Sequence, residues 1–195
     1  MRISPEKCSA QCWLSVMEEA HRIGFRTTAT MMFGHEETAE EIVRHLLMLR
    51  EVQDRTGGFS SFIPWSFKPC NTKLGEKTGQ AENAIQYLRI ISVARLLLDN
   101  FVHIQSSWFS ENMQTGLLGL LAGADDFGGL LYEESVLGMA EHAPKATLEE
   151  TLEAIRSMGF TPAQRDSKYE RLRTFDSVHG ESIAKTLSIY ETYQR

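Results

Sequence analysis

The side chains best suited to chemistry fall in short clusters: His35-Glu36-Glu37, Trp65 with Lys68, Gln105 with Ser107, and Asp125-Asp126 with Glu133-Glu134 beyond. An imidazole beside carboxylates can move a proton or ligate a metal ion. Amide and hydroxyl groups orient a polar ligand, and an indole offers it a flat apolar wall. Each group also has a structural reading. His35 can help cap a helix starting at Thr38, and Glu36 and Glu37 can complement that helix's dipole. Trp65 can be core, Asp125 and Asp126 can form a turn ahead of Gly128-Gly129, and Glu133-Glu134 can be solvated first-turn acids.

The cysteines are Cys8, Cys12 and Cys70. Their odd number argues against a disulfide framework. Cys8-x-x-x-Cys12 followed by Ser15 stops one cysteine short of CxxxCxxC, a spacing that holds a 4Fe–4S cluster. Here it falls on an amphipathic helix, and serine is a poor cluster ligand. GxGxxG, P-loop, HExxH, paired CxxC and GxSxG motifs are all absent, which removes nicotinamide enzymes, NTPases, zinc hydrolases and serine hydrolases from view.

The elements that must position these clusters alternate regularly. Ser4 and Pro5 predict the start of a first helix and Gly24 its end, with Trp13, Val16, Met17 and Ala20 as its buried stripe. Thr27–Phe33 reads as a strand. Thr38-Ala39-Glu40-Glu41 is a capping box opening a long helix with Ile42, Leu46 and Leu49 on its apolar face. Phe59–Phe67 is a second strand whose pairing is expected to stop near Pro64. A helix with Tyr87, Leu88, Ile91, Ala94 and Leu98 inward leads to strands at 102–107 and 124–127, separated by a short helix at 113–122. One helix followed by four βα units predicts a parallel sheet with helical crossovers. In such folds ligands sit at the C-terminal strand ends, where all the clusters are expected to fall. Past Ala143 the pattern changes: a capping box at Thr147 starts a helix ending at Gly159, 161–173 reads as a polar surface extension, and 181–195 has weak helical periodicity.

The net charge of −6 and the lack of a basic stripe argue against nucleic acid and anionic membranes as partners. No apolar run approaches the roughly 20 residues needed to cross a bilayer. A cytoplasmic protein is expected.

Three ordered stretches resemble one family: TTATMMFGHEET (27–38), TGGF…FIPW (56–65), and AR…LDN…IQSSW…GADDFGG (94–129). They are similar to the radical S-adenosylmethionine (SAM) group containing cyclic dehypoxanthinyl futalosine synthase, aminofutalosine synthase and the deazaflavin-forming FO synthases. Trp65 after Ile63-Pro64 points to the first branch. The resemblance implies a complete (βα)8 barrel, a 4Fe–4S cluster that reduces SAM, and a deoxyadenosyl radical that abstracts hydrogen from dehypoxanthine futalosine on the way to menaquinone. On that analogy His35, Glu37, Trp65, Gln105, Ser107, Asp125, Asp126 and Glu133 line a substrate and SAM cavity.

Such a barrel takes about 250 residues. The fold expected here is therefore α/β: a partial (βα)8 TIM-type barrel of about the second four units over residues 1–143, plus a helical C-terminal extension over 144–195. The half that would carry the cluster loop is expected to lie elsewhere, and Asp125 stands where the family usually has Asn. Half a barrel leaves sheet edges open, so the expected partner is a separate N-terminal half-barrel chain or a second copy. Two other readings stay open: a non-catalytic half-barrel binding or assembly module, or truncated remnant, and an independent α/β enzyme using His35 with Asp125, Asp126 or Glu133.

Overall fold

Local capping chemistry sets the helix starts in the computed structural model, which describes residues 3–78, 83–130, 138, 145–175 and 186–191. Helix α1 (Ala10–Arg22) is capped by Ser9, whose Oγ accepts from the Cys12 amide at 3.2 Å. This corrects the expected start at Ser4: the Lys7 amide bonds the Ser4 carbonyl, so Pro5 occupies the second position of a turn, where its fixed φ is also favoured. The stripe shifts accordingly, with Leu14 and His21 buried and Val16 exposed. Helix α2 (Ala39–Thr56) begins with the anticipated capping box of Thr38 and Glu41 and ends on Gly57 at φ 57°. Helices α3 (Gly75–Thr78), α4 (Ala84–Leu97), α5 (Met113–Leu121) and α6 (Leu148–Ser157) follow.

Strands β1 (Thr27–Phe33), β2 (Phe59–Ser66) and β3 (His103–Ile104) form a parallel sheet in that order. Pairing of β1 with β2 runs through Pro64 to Phe33↔Ser66 rather than stopping at the proline. The Phe62 carbonyl accepts from Gln105 and the Phe33 carbonyl from Phe67, so even-numbered positions of β2 direct their backbone groups away from β1. The donor missing at Pro64 therefore points to the side where the short β3 ladder has already ended.

A single parallel bridge, Gln105↔Asp126, joins β3 to β4 (Asp126–Leu130). β4 then leads a second sheet of order β4-β7-β5-β6, with β5 (Thr161–Arg165), β6 (Arg171–Thr174) and β7 (Thr186–Glu191). The chain is thus a mixed α/β fold with a parallel sheet. The C-terminal segment is corrected in part: its first element is the expected helix, but strands stand where a polar extension and a weak helix were expected. Strand β5 buries Pro162, Ala163 and Arg165, a set with no apolar period to read. The second sheet joins residues on both sides of the anticipated 143/144 boundary.

Helices α2, α4 and α5 cover one face of the first sheet. Ala29, Met31, Phe33, Phe62, Ile104 and Phe127 pack there with Leu46, Leu49, Tyr87 and Ile91. The opposite face carries Thr28 and Thr30, both exposed, and half-buried Ile63 and Trp65.

Candidate functional site

The C-terminal strand ends hold two polar clusters. At the end of β1, Gly34 turns the chain at φ 92°, and Glu37 folds back so that its carboxylate accepts from the amides of Gly34 and His35, the latter at 3.0 Å. His35 Nδ1 lies 2.7 Å from Glu37 Oε2, with both side chains largely buried. The same nitrogen is 2.9 Å from the Glu36 amide, so it accepts from that amide when unprotonated and donates to Glu37 when protonated. The His35 ring meets Phe67 edge-on at 6.1 Å, tying this turn to the end of β2.

There the second cluster begins. Glu111, buried after β3, accepts from the Ser66 amide at 3.0 Å and the Ser66 hydroxyl at 2.7 Å. Lys68 Nζ donates to Ser66 Oγ at 2.6 Å and reaches Glu111 Oε2 at 3.5 Å. Gln105 is buried beside Gly128, whose φ of 84° favours glycine and whose Cα lies close to the Gln105 amide. Ser107 is wholly buried; its amide donates to Tyr87 Oη at 2.7 Å, and its own Oγ has no hydrogen-bond partner among the described residues. Burial raises the Tyr87 phenol, keeping it neutral.

β4 begins at Asp126 rather than at Ala124; Asp126 is bridged in parallel to Gln105, and Asp125 stands one residue ahead of the strand. Asp125 accepts from Arg95 at 2.6 Å, from the Ile104 amide at 2.7 Å, and sits 2.6 Å from His103 Nδ1. Burial works to raise its carboxyl, but the His103 hydrogen bond, the Ile104 amide and the Arg95 charge outweigh it and hold it below the ordinary range. Asp126 is fully buried, bonded to the Gly128 amide at 2.7 Å and ion-paired with buried Arg165. Burial pushes its carboxyl up, against the pull of Arg165. The Arg165 guanidinium lies 3.7 Å over the Tyr169 ring, which stacks on His103 at 4.1 Å. Burial, then the Asp126 charge, pushes the Tyr169 phenol up to about 12.

The structure places His35, Glu37 and Trp65 at the C-terminal ends of β1 and β2, with Ser107 beyond β3; it sets Gln105 against Asp126 and Asp125 beside His103, and Glu133 lies outside the described residues. Lys68 was legible as a strand-end residue. Glu111, His103, Arg165 and Tyr169 were not, since they stand in stretches without period or motif.

A 4Fe–4S cluster does not fit these residues. Among the described residues no group of three His, Cys, Asp or Glu side chains could hold a metal ion. All three cysteines are exposed and none forms a disulfide, and the Ser15 hydroxyl is bonded to the Gln11 carbonyl at 3.0 Å. No helix among the described residues is long and apolar enough to cross a membrane.

Residues 56–178, from the end of α2 past β6, match the family described as "CofH/MqnC C-terminal region". The chain belongs to that family. It is 44% identical over 181 residues to a cyclic dehypoxanthine futalosine synthase of Streptomyces coelicolor, covering 93% of this chain and 45% of the relative. It is 40% identical to a 5-amino-6-(D-ribitylamino)uracil–L-tyrosine 4-hydroxyphenyl transferase of Methanococcoides burtonii, covering 88% and 50%. It is 39% identical to an aminodeoxyfutalosine synthase of Thermus thermophilus, covering 91% and 49%. The chain spans about half the length of these curated CofH/MqnC-type relatives.

Proposed function

We propose that this chain is the C-terminal part of a cytoplasmic radical SAM enzyme of the cyclic dehypoxanthine futalosine synthase type, completing a (βα)8 barrel with an N-terminal half that carries the cluster. The observation that carries this reading is the 44% identity across nearly the whole chain to such a synthase. The Phe-Ile-Pro-Trp ending of β2 supports the choice of branch.

In this reading the substrate, a dehypoxanthine futalosine-like nucleoside derivative, lies with SAM over the C-terminal strand ends. SAM and the cluster supply hydrogen-atom abstraction, and no cluster ligand comes from this chain. Its own residues bind and orient. Trp65 offers a flat apolar wall, while Gln105 and Ser107 present polar groups from β3. The His35–Glu37 turn presents an imidazole held by a carboxylate, and the Lys68–Glu111 pair fixes the end of β2 against the loop after β3. In this reading Asp125 and Asp126, engaged by Arg95, His103 and Arg165, brace the strands beside the cavity rather than hold the ligand.

The test is anaerobic co-expression with the N-terminal half of the Streptomyces coelicolor relative, reconstitution with iron and sulfide, and an assay for deoxyadenosine. SAM cleavage dependent on both chains and on dehypoxanthine futalosine supports the reading. A pair that holds a cluster but cleaves SAM only with a tyrosine or aminodeoxyfutalosine-type substrate moves the chain to another branch. No cleavage with any of the three substrates overturns it.

A further inference from the structure

A divided barrel has two cut edges, and this chain treats them differently. Beside β1, on the side away from β2, no further strand stands among the described residues. Strand β4 has a neighbour on each side. The Gln105↔Asp126 bridge joins it to β3. Along its other side runs β7, paired from Asp126↔Ser188 to Leu130↔Glu191. β7 pairs in turn with β5, from Thr161↔Thr186 to Arg165↔Tyr190. It is therefore an interior strand set between β4 and β5, and the Asp126–Arg165 ion pair links those two strands across it.

The position of β7 is that of a stand-in. It runs parallel to β4, the direction in which the first strand of a (βα)8 barrel runs beside the last. Its sequence, Thr-Leu-Ser-Ile-Tyr-Glu, places β-branched and aromatic residues where a strand favours them. The matched family segment, 56–178, takes in β4, β5 and β6 and ends before β7 begins. The hold of β7 on β4 is also the weaker of its two ladders. β4 is five residues long with Gly128 and Gly129 inside it, and its register with β7 shifts between Asp126 and Gly128. Glycine inside a strand weakens pairing. The ladder of β7 to β5 has no such shift.

Resting on the proposed barrel, we infer that β7 masks the edge of β4 at which that barrel closes, and that closure displaces it. β4 has one side to give, and β7 and an incoming first strand cannot both pair there. In the chain alone, β7 satisfies backbone groups that would otherwise recruit other strands. Because it belongs to the same chain, it competes at an effective concentration on the order of millimolar. An isolated strand does not win that competition; a whole half-barrel, bringing its other contacts, does. The C-terminal strand thus gates assembly, and the release starts at the irregular step between Asp126 and Gly128.

The experiment measures hydrogen exchange on the full chain alone and then with the N-terminal half of the Streptomyces coelicolor relative, with deoxyadenosine assayed on the same sample. Alone, the amides of β7 are expected to be protected. In the complex, those facing β4 are expected to exchange at least about tenfold faster. Ile189→Pro removes a donor in the middle of β7 and is expected to tighten association about tenfold by freeing the edge beforehand. Leu172→Ser, at an exposed position of β6, two strands removed from β7, is expected to leave association unchanged. Circular dichroism of each variant alone checks that it folds. β7 amides that are unprotected in the chain alone, or that stay protected in the complex, overturn the mask. So does an Ile189→Pro chain that associates no better than the wild type, or absence of association with both. Released β7 amides without deoxyadenosine sustain the mask and overturn the activity, and deoxyadenosine with β7 still paired does the reverse.

Discussion

Two polar networks of the sheet, one around the start of β4 and one at the C-terminal ends of β1 and β2, use the same residue types to opposite effect. In the first, Asp125, Asp126, His103, Arg95, Arg165 and Tyr169 form a continuous chain of ion pairs and stacked rings, with both aspartates paired to an arginine. At the C-terminal ends His35, Glu37, Lys68 and Glu111 are held by backbone amides, two serine hydroxyls and the longer Lys68–Glu111 pair. Ser107 Oγ there finds no geometrically sound hydrogen-bond partner among the described residues. Saturated polar groups hold elements together, whereas partly satisfied ones are available to a ligand. The acidic pair Asp125-Asp126, conspicuous in sequence, belongs to the first kind.

The sharpest way to break this contrast is at Asp126. Replacing it with Ala leaves the buried Arg165 guanidinium without its anion, and such a loss costs about 3–5 kcal/mol, measured by urea unfolding. Replacing the pair together, Asp126→Leu with Arg165→Met, is expected to recover most of that loss. A cost below about 1 kcal/mol for Asp126→Ala would mean the pair is not the strut described.

Asp125→Asn should cost less, about 2 kcal/mol, since one oxygen still accepts from Ile104 while the Arg95 charge goes unanswered and the His103 contact is weakened. Its pH signature is distinctive. Because the folded state holds this carboxyl below its ordinary range, its contribution is fully present above about pH 4 and is lost as pH falls through the lower folded value. The Asn variant should lack that part of the acid limb. An unchanged limb would show that Asp125 does not titrate as described.

These polar networks also show why the sequence reads unevenly. The capping boxes at Thr38 and Thr147 are local chemistry, and both hold. The helix-covered face was legible through Leu46, Leu49, Tyr87 and Ile91 because burial follows a helical period. Strand β5 was not legible, because what it buries is an arginine whose partner lies 39 positions away. Asp126 looked like a strand-end ligand only because β4 was placed two residues early. The turn at His35 and Glu37 was found because glycine and a capping box bracket it. Glu111 was missed because its meaning depends on Ser66, a contact with no trace in local spacing.

Two histidines extend the comparison to pH. His21, at the N-terminal strand ends, bridges Thr27 and Thr56 through its two ring nitrogens at 2.8 Å each. Burial, then the Arg26 charge, lowers its pKa, and burial alone lowers that of His45. Below about pH 6.5 the unfolded chain binds protons that the folded one resists, so stability falls as pH drops from 7 toward 5. His21→Asn should cost about 1–2 kcal/mol at pH 7 through its lost hydrogen bonds and flatten part of that slope. His45→Phe should flatten another part. A slope unaltered in both variants would assign the acid sensitivity elsewhere.

The smallest effect on stability is expected at His35. Its ring packs only on Phe67, and its Nδ1 neighbours are local, Glu36 and Glu37. Glu37 keeps its amide bonds when the imidazole is removed, so the turn survives. His35→Ala should therefore shift unfolding by less than about 1 kcal/mol. If this end binds ligand, the same substitution in the co-expressed pair should weaken SAM or nucleoside binding about tenfold, as loss of one charge-assisted hydrogen bond would. Asp125→Asn should show the reverse profile: clear loss of stability, unchanged binding. A His35 variant that unfolds easily but binds normally would exchange the roles of the two networks, leaving the C-terminal cluster as scaffold and returning the acidic pair to candidacy as ligand groups.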